Sequence, residues 1–320
     1  MKKLTLQSDN YNYIIKSFGD WLNILGYAEY SVYSMPIYIR EFLYYLEKKK
    51  INHIQYITNP HIKAYYRELK QRTNTRRGGC LSNGSLNKHI QSLNKFSDYL
   101  RQSGKLILPK IYLPQEEQNH EIKHILTQEE VKQLYKACDL YPEPGLRMAS
   151  WMYEALALRD KAMLTVFYGC GLRRNEAFNL DISDIHADKN YLHVRKGKNY
   201  KERIVPINQI AINYLQNYLY ESRPRFLCHE KQEALFISQR GVRMNGQSML
   251  LRLKLLIQRV DNTELQQKEI GLHSLRHSIA THLLSNGMNM EAISKFLGHS
   301  SLESTQIYTQ LVEKEITSID

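Results

Sequence analysis

Two histidines, an arginine and a tyrosine near the C-terminus have side chains that could act together on a phosphate. His273 and Arg276 lie three residues apart, and His299 and Tyr308 follow downstream. A guanidinium matches phosphate oxygens with a permanent positive charge. An imidazole can transfer a proton, and a tyrosine hydroxyl can attack as a nucleophile. This set of side chains predicts a cationic pocket for phosphate chemistry.

A zinc site is the alternative for part of this set. His273 and His277 have the spacing of two histidines that bind zinc from one face of a helix. In the metalloprotease motif a glutamate follows the first histidine, whereas here Ser274 stands at that position. The pattern therefore favours phosphate chemistry over a metalloprotease site.

Short helices must bring the four residues together. Apolar residues recur at spacings of three and four over 272–284, which predicts a helix that places His273 and Arg276 side by side. A second helix is predicted from about 290 to 297, ending at Gly298, a favoured C-cap residue. A third would begin with a capping-box pattern at 300–303. Helices this short can fold back on one another.

The preceding segment combines helices with a small sheet. An apolar helix is predicted from Arg159 to Tyr168, and strands at 191–195 and 202–206 flank a lysine-rich hairpin turn. The other predicted elements are a helix starting with the capping box at Thr127, helices at 209–220 and 246–260, and an extended segment at 234–238. We therefore predict a mainly α domain with a small antiparallel β-sheet.

The first third of the chain is basic and helical. Residues 1–112 contain 18 Lys and Arg against 7 Asp and Glu, so they carry most of the formal net charge of +12. Helices are predicted at about 11–25, 31–49, 60–71 and 85–101, which would form a compact all-α module. An excess of positive charge favours binding to a polyanion such as DNA. The alternative is a basic domain whose charge serves only solubility.

Five side chains of this module are candidates for DNA contacts. Arg76 and Arg77 lie in a polar break, and Lys88 and Lys95 lie opposite the apolar face of the fourth predicted helix. These four could neutralise phosphates, and Gln91 could reach a base edge. Each residue taken alone is more often a solvated surface residue, so the prediction depends on their grouping.

Composition and local patterns limit the class of protein and indicate where its domains end. The four cysteines form no CxxC pair, so neither a disulfide framework nor a zinc ribbon is indicated. The N-terminus lacks the apolar core of a signal peptide, and no stretch approaches the roughly 20 apolar residues of a membrane helix. Residues 113–124 read as a linker. We expect a cytoplasmic protein with domains at 1–112 and 125–320 and no membrane partner.

Four motifs of the second domain occur in a characteristic order. They are Gly171-Leu172-Arg173-x-x-Glu176, Gly197-Lys198 before Lys201-Glu202-Arg203-x-Val205-Pro206, His273-x-Leu275-Arg276-His277, and Leu297-Gly298-His299-Ser300 before Tyr308. In order and spacing they resemble the motifs of the tyrosine recombinases, the phage-integrase and Xer family. The resemblance implies a two-domain, C-shaped DNA clamp with an N-terminal SAM-like core-binding domain and a C-terminal catalytic domain.

The resemblance also implies a role for each residue. Arg173 and Arg276 would hold the scissile phosphate, and Tyr308 would attack it to form a 3′-phosphotyrosyl bond. His273 would act as general base, and His299 would donate a hydrogen bond to the phosphate.

Two supporting roles complete this assignment. Lys198 would protonate the leaving 5′-oxygen, with Lys196 or Lys201 replacing it if the alignment shifts. Glu176 would orient the neighbouring basic groups. Neither ATP, a metal ion nor another cofactor is implied.

The resemblance predicts a site-specific recombinase that acts on double-stranded DNA. It would be a homotetramer on two paired sites and a monomer free in solution. Integration and excision of a mobile element, transposition and dimer resolution all fit this activity. The alternatives are a type IB topoisomerase, which shares the mechanism, and a DNA-binding regulator on an inactive scaffold. The motif spacing favours the recombinase, and the complete set of six residues argues against the regulator.

Overall fold

The computed structural model describes residues 4–73, 78–104, 113–117, 125–140, 149–195, 202–227 and 232–298. The chain divides into two compact units, Met1–His120 and Glu121–Asp320. Each unit has its own buried apolar cluster. In the described parts of the chain, no helix is long and apolar enough to cross a membrane.

The described part of the first unit is all-α, as predicted. Its helices are α1 (Asp9–Ile24), α2 (Glu29–Lys48), α3 (Asn59–Gln71) and α4 (Asn83–Gln102). The starts of α1 and α4 lie about two residues before the predicted positions, because the Ser8 and Ser82 side chains accept hydrogen bonds from the Tyr11 and Ser85 N–H groups. Phe18 of α1 packs edge to face on Phe96 of α4, with the ring centroids 5.3 Å apart.

The described part of the predicted linker is attached to α3 and α4. Glu116 accepts hydrogen bonds from Tyr66 and Lys70 on α3. The Asn87 side-chain amide and the Glu116 backbone exchange two hydrogen bonds of 2.8 Å each. Residues 113–117 therefore lie against the first unit.

The second unit is mainly helical with a small sheet. Its helices are α5 (Gln128–Ala137), α6 (Ser150–Leu164), α7 (Arg174–Asn179), α8 (Gln209–Asn217), α9 (Arg223–Phe226), α10 (Gly246–Arg259), α11 (Thr263–Gln267), α12 (Leu272–Ser285) and α13 (Met290–Leu297). Its strands are β1 (Ile185–His186), β2 (Tyr191–Val194) and β3 (Arg203–Pro206). The fold class predicted from the sequence is confirmed.

The sheet is antiparallel in the order β1-β2-β3, and Val194 pairs with Arg203 where β2 meets β3. The sequence predicted β2 and β3 but missed β1, because a two-residue strand has no periodicity to detect. Within the described residues, the extended segment predicted at 234–238 pairs through isolated bridges, from Ala234 to Asp181 and from Ile237 to Arg243.

The prediction of a helix from Arg159 to Tyr168 was wrong at its start. The helix α6 begins at Ser150, and its middle buries the charged residues Arg159 and Asp160. Asp160 is held by Arg252, whose Nε lies 3.1 Å from its Oδ2. A helix that buries charged residues has no clean apolar stripe, and this obscured its start in the sequence.

A π-helical turn at Thr165–Gly169 continues from α6. In this turn the Cys170 N–H donates to the Thr165 carbonyl, five residues back, at 2.9 Å. Turns of this kind often stand next to functional sites. This one leads directly into Gly171, Leu172 and Arg173.

Candidate active site

Arg173 lies at the N-terminus of α7, where the chain leaves Gly171. Gly171 has a φ of +60°, and an added Cβ there would stand 2.9 Å from a methyl group of Leu297. Both facts require glycine. Arg173 then donates its backbone N–H to Glu176 Oε2 at 2.9 Å and its Nη1 to Glu176 Oε1 at 2.7 Å. The first motif thus closes on itself within one turn of helix.

Arg276 approaches the same place from the middle of α12. Its side chain is 3% exposed. Its Nη1 donates to the Gly171 carbonyl at 2.6 Å, and its Nη2 donates to the Leu297 carbonyl at 2.7 Å. Its Nη1 lies 3.8 Å from Glu176 Oε2, an ion pair without a hydrogen bond. The two predicted arginines therefore meet at one carboxylate.

A third arginine, for which no role was predicted, joins this cluster. Arg203, the first residue of β3, forms a two-pronged pair with Glu176, with Nη1 3.0 Å from Oε1 and Nη2 2.9 Å from Oε2. Its Nε also donates to the Phe296 carbonyl at 3.1 Å. The only signal in the sequence was its place inside the second motif.

Glu176 is the centre of the cluster and is 4% exposed. Burial alone would raise the pKa of its carboxyl. The hydrogen bonds and charges of Arg203 and Arg173 outweigh that effect and lower the pKa to about 2. Glu176 is therefore an anion at neutral pH, and it accepts hydrogen bonds from Arg173 and Arg203.

The three arginines also cap the C-terminus of α13. Their guanidinium groups donate to the carbonyls of Phe296, Leu297 and Gly298, with Arg173 Nη2 3.0 Å from the last of these. The final carbonyls of a helix have no partners within the helix and carry its negative dipole end. Bonding to guanidinium groups satisfies them and fixes where the chain leaves α13.

Gly298 ends α13 in the left-handed conformation, with φ +66°, as predicted for a C-cap. An added Cβ at this position would lie 2.8 Å from Arg203 Cδ. Glycine is needed here both for the backbone conformation and for the close approach of Arg203.

His273 lies beside this arginine cluster. The His273 residue is exposed at the protein surface. The protein around its imidazole nevertheless removes enough water to lower the pKa. The charges of Arg276, Arg174 and Arg173 lower the pKa further. His273 is therefore neutral at pH 7 and able to accept a proton.

The pKa of His277, one turn further along α12, is lowered to about 4 by burial and then by His273 and Arg276. Within the described residues, no group of three or more His, Cys, Asp or Glu side chains is arranged to hold a metal ion.

The structure thus brings together Arg173, Glu176 and Arg276, with His273 next to them, and adds Arg203. Lys198, His299 and Tyr308 lie outside the described residues, as do the alternatives Lys196 and Lys201.

On the first unit, Lys88 and Gln91 are exposed on α4. They border an open cleft of about 600 Å³ that is also lined by Gly84, Asn87 and residues 115–117. Lys95 is half-buried, and its ammonium lies 3.5 Å from Asp98. Arg76 and Arg77 lie outside the described residues.

Known proteins are similar to this chain in sequence and in fold. The sequence model of the phage integrase family matches residues 124–315, more than half of the chain. A tyrosine recombinase XerD of Oceanobacillus iheyensis is 32% identical over 73% of this chain and 74% of its own length. A tyrosine recombinase XerD of Staphylococcus epidermidis is 28% identical over 95% of this chain and 96% of its own length.

A solved structure of the site-specific recombinase XerH, bound to its DNA substrate after cleavage, has a similar fold. It superposes with a TM-score of 0.67 at 19% identity, covering 100% of this chain and 90% of that one.

Proposed function

Because this chain belongs to the phage integrase family of tyrosine recombinases, we propose that it cleaves and rejoins double-stranded DNA through a 3′-phosphotyrosyl intermediate. The observation that carries the proposal is the buried cluster in which Glu176 holds Arg173 next to Arg276. Three guanidinium groups around one carboxylate leave an excess of positive charge. Such a fixed charge stabilises the extra negative charge of a pentacovalent phosphate.

The reaction is a pair of transesterifications. The Tyr308 hydroxyl attacks the scissile phosphate, so that a phosphotyrosyl bond forms and the bond to the 5′-oxygen breaks. A phenol has a pKa near 10 and needs a base to attack at neutral pH. The neutral ring of His273 would take the phenol proton, and Lys198 would give a proton to the leaving oxygen. His299 would donate a hydrogen bond to the phosphate.

Rejoining reverses these steps with a new 5′-hydroxyl. The energy of the phosphodiester is kept in the covalent intermediate, so the scheme requires no nucleotide cofactor. The basic first unit supports DNA binding, with Arg76, Arg77, Lys88 and Lys95 neutralising phosphates and Gln91 reaching a base edge.

We further propose a monomer in the cytoplasm that assembles as a homotetramer on two paired sites. Its mass alone and on DNA tests this assembly. Recombination assays with two sites on one molecule or on two molecules distinguish dimer resolution and excision from integration or transposition. Relaxation of supercoiled DNA without exchange of strands would instead identify the topoisomerase.

The test of the mechanism is a covalent adduct. The protein is incubated with nicked duplexes that tile the DNA flanking its gene, since a nick beside the scissile phosphate lets the short fragment diffuse away and traps the adduct. We expect an adduct with the wild type and none with Tyr308→Phe. Tyr220→Phe, a change at an exposed tyrosine of the second unit, should form the adduct normally. No adduct with the wild type, or an adduct with Tyr308→Phe, would refute the mechanism.

A further inference from the structure

Arg203 occupies half of the hydrogen-bonding capacity of Glu176. A carboxylate offers about four acceptor directions, two on each oxygen. Arg203 Nη1 and Nη2 take one direction on each oxygen, at 3.0 and 2.9 Å. Arg173 takes the other two, through its Nη1 and its backbone N–H. Glu176 is therefore fully bonded without Arg276.

Arg276 lies beside Glu176 without a hydrogen bond to it, and its Nη1 and Nη2 donate to the Gly171 and Leu297 carbonyls. Its Nη1 lies 3.8 Å from Glu176 Oε2, although both side chains are buried and opposite in charge. Without Arg203, two acceptor directions of Glu176 would open beside Arg276, and a two-pronged arginine–carboxylate pair is a strong interaction. Arg276 would then turn towards Glu176.

Arg203 also adds to the charge of the cluster. With it, three guanidinium groups face one carboxylate, which leaves two positive charges in excess; without it, one remains. Its Nε bond to the Phe296 carbonyl and its contact with Gly298 tie this charge to the end of α13. The hairpin strand β3 is thereby joined to the first and last motifs.

We propose that Arg203 is a positioning residue for strand cleavage: it saturates Glu176, so that Arg276 remains directed at the scissile phosphate. This assignment rests on the proposed function. Arg203 itself does not touch the reacting atoms in this scheme. It acts through Glu176 and Arg276.

The first experiment needs no DNA. A crystal structure of Arg203→Gln should show Arg276 Nη1 within hydrogen-bonding distance of Glu176, about 3 Å, in place of the 3.8 Å separation. An unchanged separation would overturn the assignment. Because this readout is structural, it stands even if the wild type forms no adduct and the proposed function fails.

The second experiment measures the rate of adduct formation on the nicked duplex that reacts with the wild type. Loss of a preorganised charge at a developing oxyanion costs roughly a hundredfold in rate, and we expect that loss for Arg203→Gln with single-site DNA binding unchanged. Arg203→Lys keeps the charge but fills only one acceptor direction, and we expect roughly a tenfold loss. If Arg203→Gln fails to fold, the lysine variant carries the test.

A substrate with a neutral methylphosphonate at the scissile position separates positioning from folding. It lacks one negatively charged oxygen, so it depends less on arginine charge, and the deficit of the Arg203 variants should shrink to about threefold or less. The matched control is Arg195→Gln, because Arg195 lies in the same hairpin and pairs with Asp181 and Asp184 instead. It should cleave both substrates like the wild type. Equal deficits of the Arg203 variants on both substrates, or cleavage by them at the wild-type rate, would overturn the proposal.

Discussion

The two units carry positive charge in opposite ways. In the first unit the described candidates for DNA contacts lie along the single helix α4, where Lys88 and Gln91 are exposed. In the second unit Arg173, Arg203 and Arg276 are largely buried and come from three separate segments that meet at Glu176. An exposed group of charged side chains tolerates the loss of one of them, because water takes its place. A buried cluster does not, because each charge there depends on the others.

The largest effect should follow from removing the carboxylate of the buried cluster. Glu176→Gln leaves three guanidinium groups without a counterion, and breaking a buried ion pair in this way costs about 3–5 kcal/mol. We expect the second unit to lose that much stability in urea while the first unit keeps its own. Each unit contains one tryptophan, Trp21 and Trp151, so Trp151 fluorescence in a Trp21→Phe background reports on the second unit.

Glu291→Gln is the matched control for this change. Glu291 pairs with Lys295 on the surface of α13, and surface pairs contribute little. If Glu176→Gln and this control unfold at the same urea concentration, the buried charges do not depend on one another.

The first unit has a buried titratable group of its own, and acid should reveal it. Burial, and then the charge of Arg72, lower the pKa of His89 from 6.5 to about 4. In the unfolded chain His89 becomes protonated below pH 6.5, whereas in the folded protein it becomes protonated only below about pH 4. Stability is therefore complete above pH 6.5 and is lost as the pH falls towards 4, by about 3 kcal/mol.

The measurement is urea unfolding of a Trp151→Phe variant between pH 7.5 and 4, followed through Trp21. His89→Gln should flatten the dependence on pH in this unit, because glutamine does not titrate. An equally steep loss with and without His89 would assign the acid sensitivity of the first unit to other groups.

The smallest effect should come from the surface face. Lys88→Ala removes one proposed phosphate contact, so the slope of log affinity against log salt should fall by about 0.9, with a modest loss of affinity. Fluorescence anisotropy of a labelled duplex at several salt concentrations measures both. Lys63→Ala on α3, an exposed lysine of the same unit, is the control. If both variants change the slope equally, only the net charge of the unit matters, and α4 is not the DNA face.

The same contrast explains what the sequence could predict. The helices of the first unit follow from apolar periodicity and from caps such as Ser82, which are local signals. The motifs predicted that Arg173, Glu176 and Arg276 belong to one site, and the structure places the three side chains together. The place of Arg203 in this site was not predicted, because the strand pattern does not indicate which residues its side chain contacts. Those partners, Glu176 and Phe296, lie 27 and 93 residues away in the chain.

The start of α6 was missed for a related physical reason. Arg159 and Asp160 read as surface residues in the sequence, yet both are buried, and Arg252 from α10 pairs with Asp160. A buried charge that pairs with a residue of a distant helix interrupts the apolar pattern of the sequence, although the core remains well packed. Long-range pairing of charge thus explains both the missed partners of Arg203 and the missed start of α6.

The π-helical turn at Thr165–Gly169 bears on how relatives of this chain should be aligned. Such a turn holds one residue more than the α-helical turn that would span the same rise. A relative that is one residue shorter here could close the turn as ordinary α-helix and still deliver its arginine to the position of Arg173. In a sequence alignment, a one-residue gap just before the first motif would then reflect a real difference between the two structures. Closing that gap would shift every residue of α6 by one position.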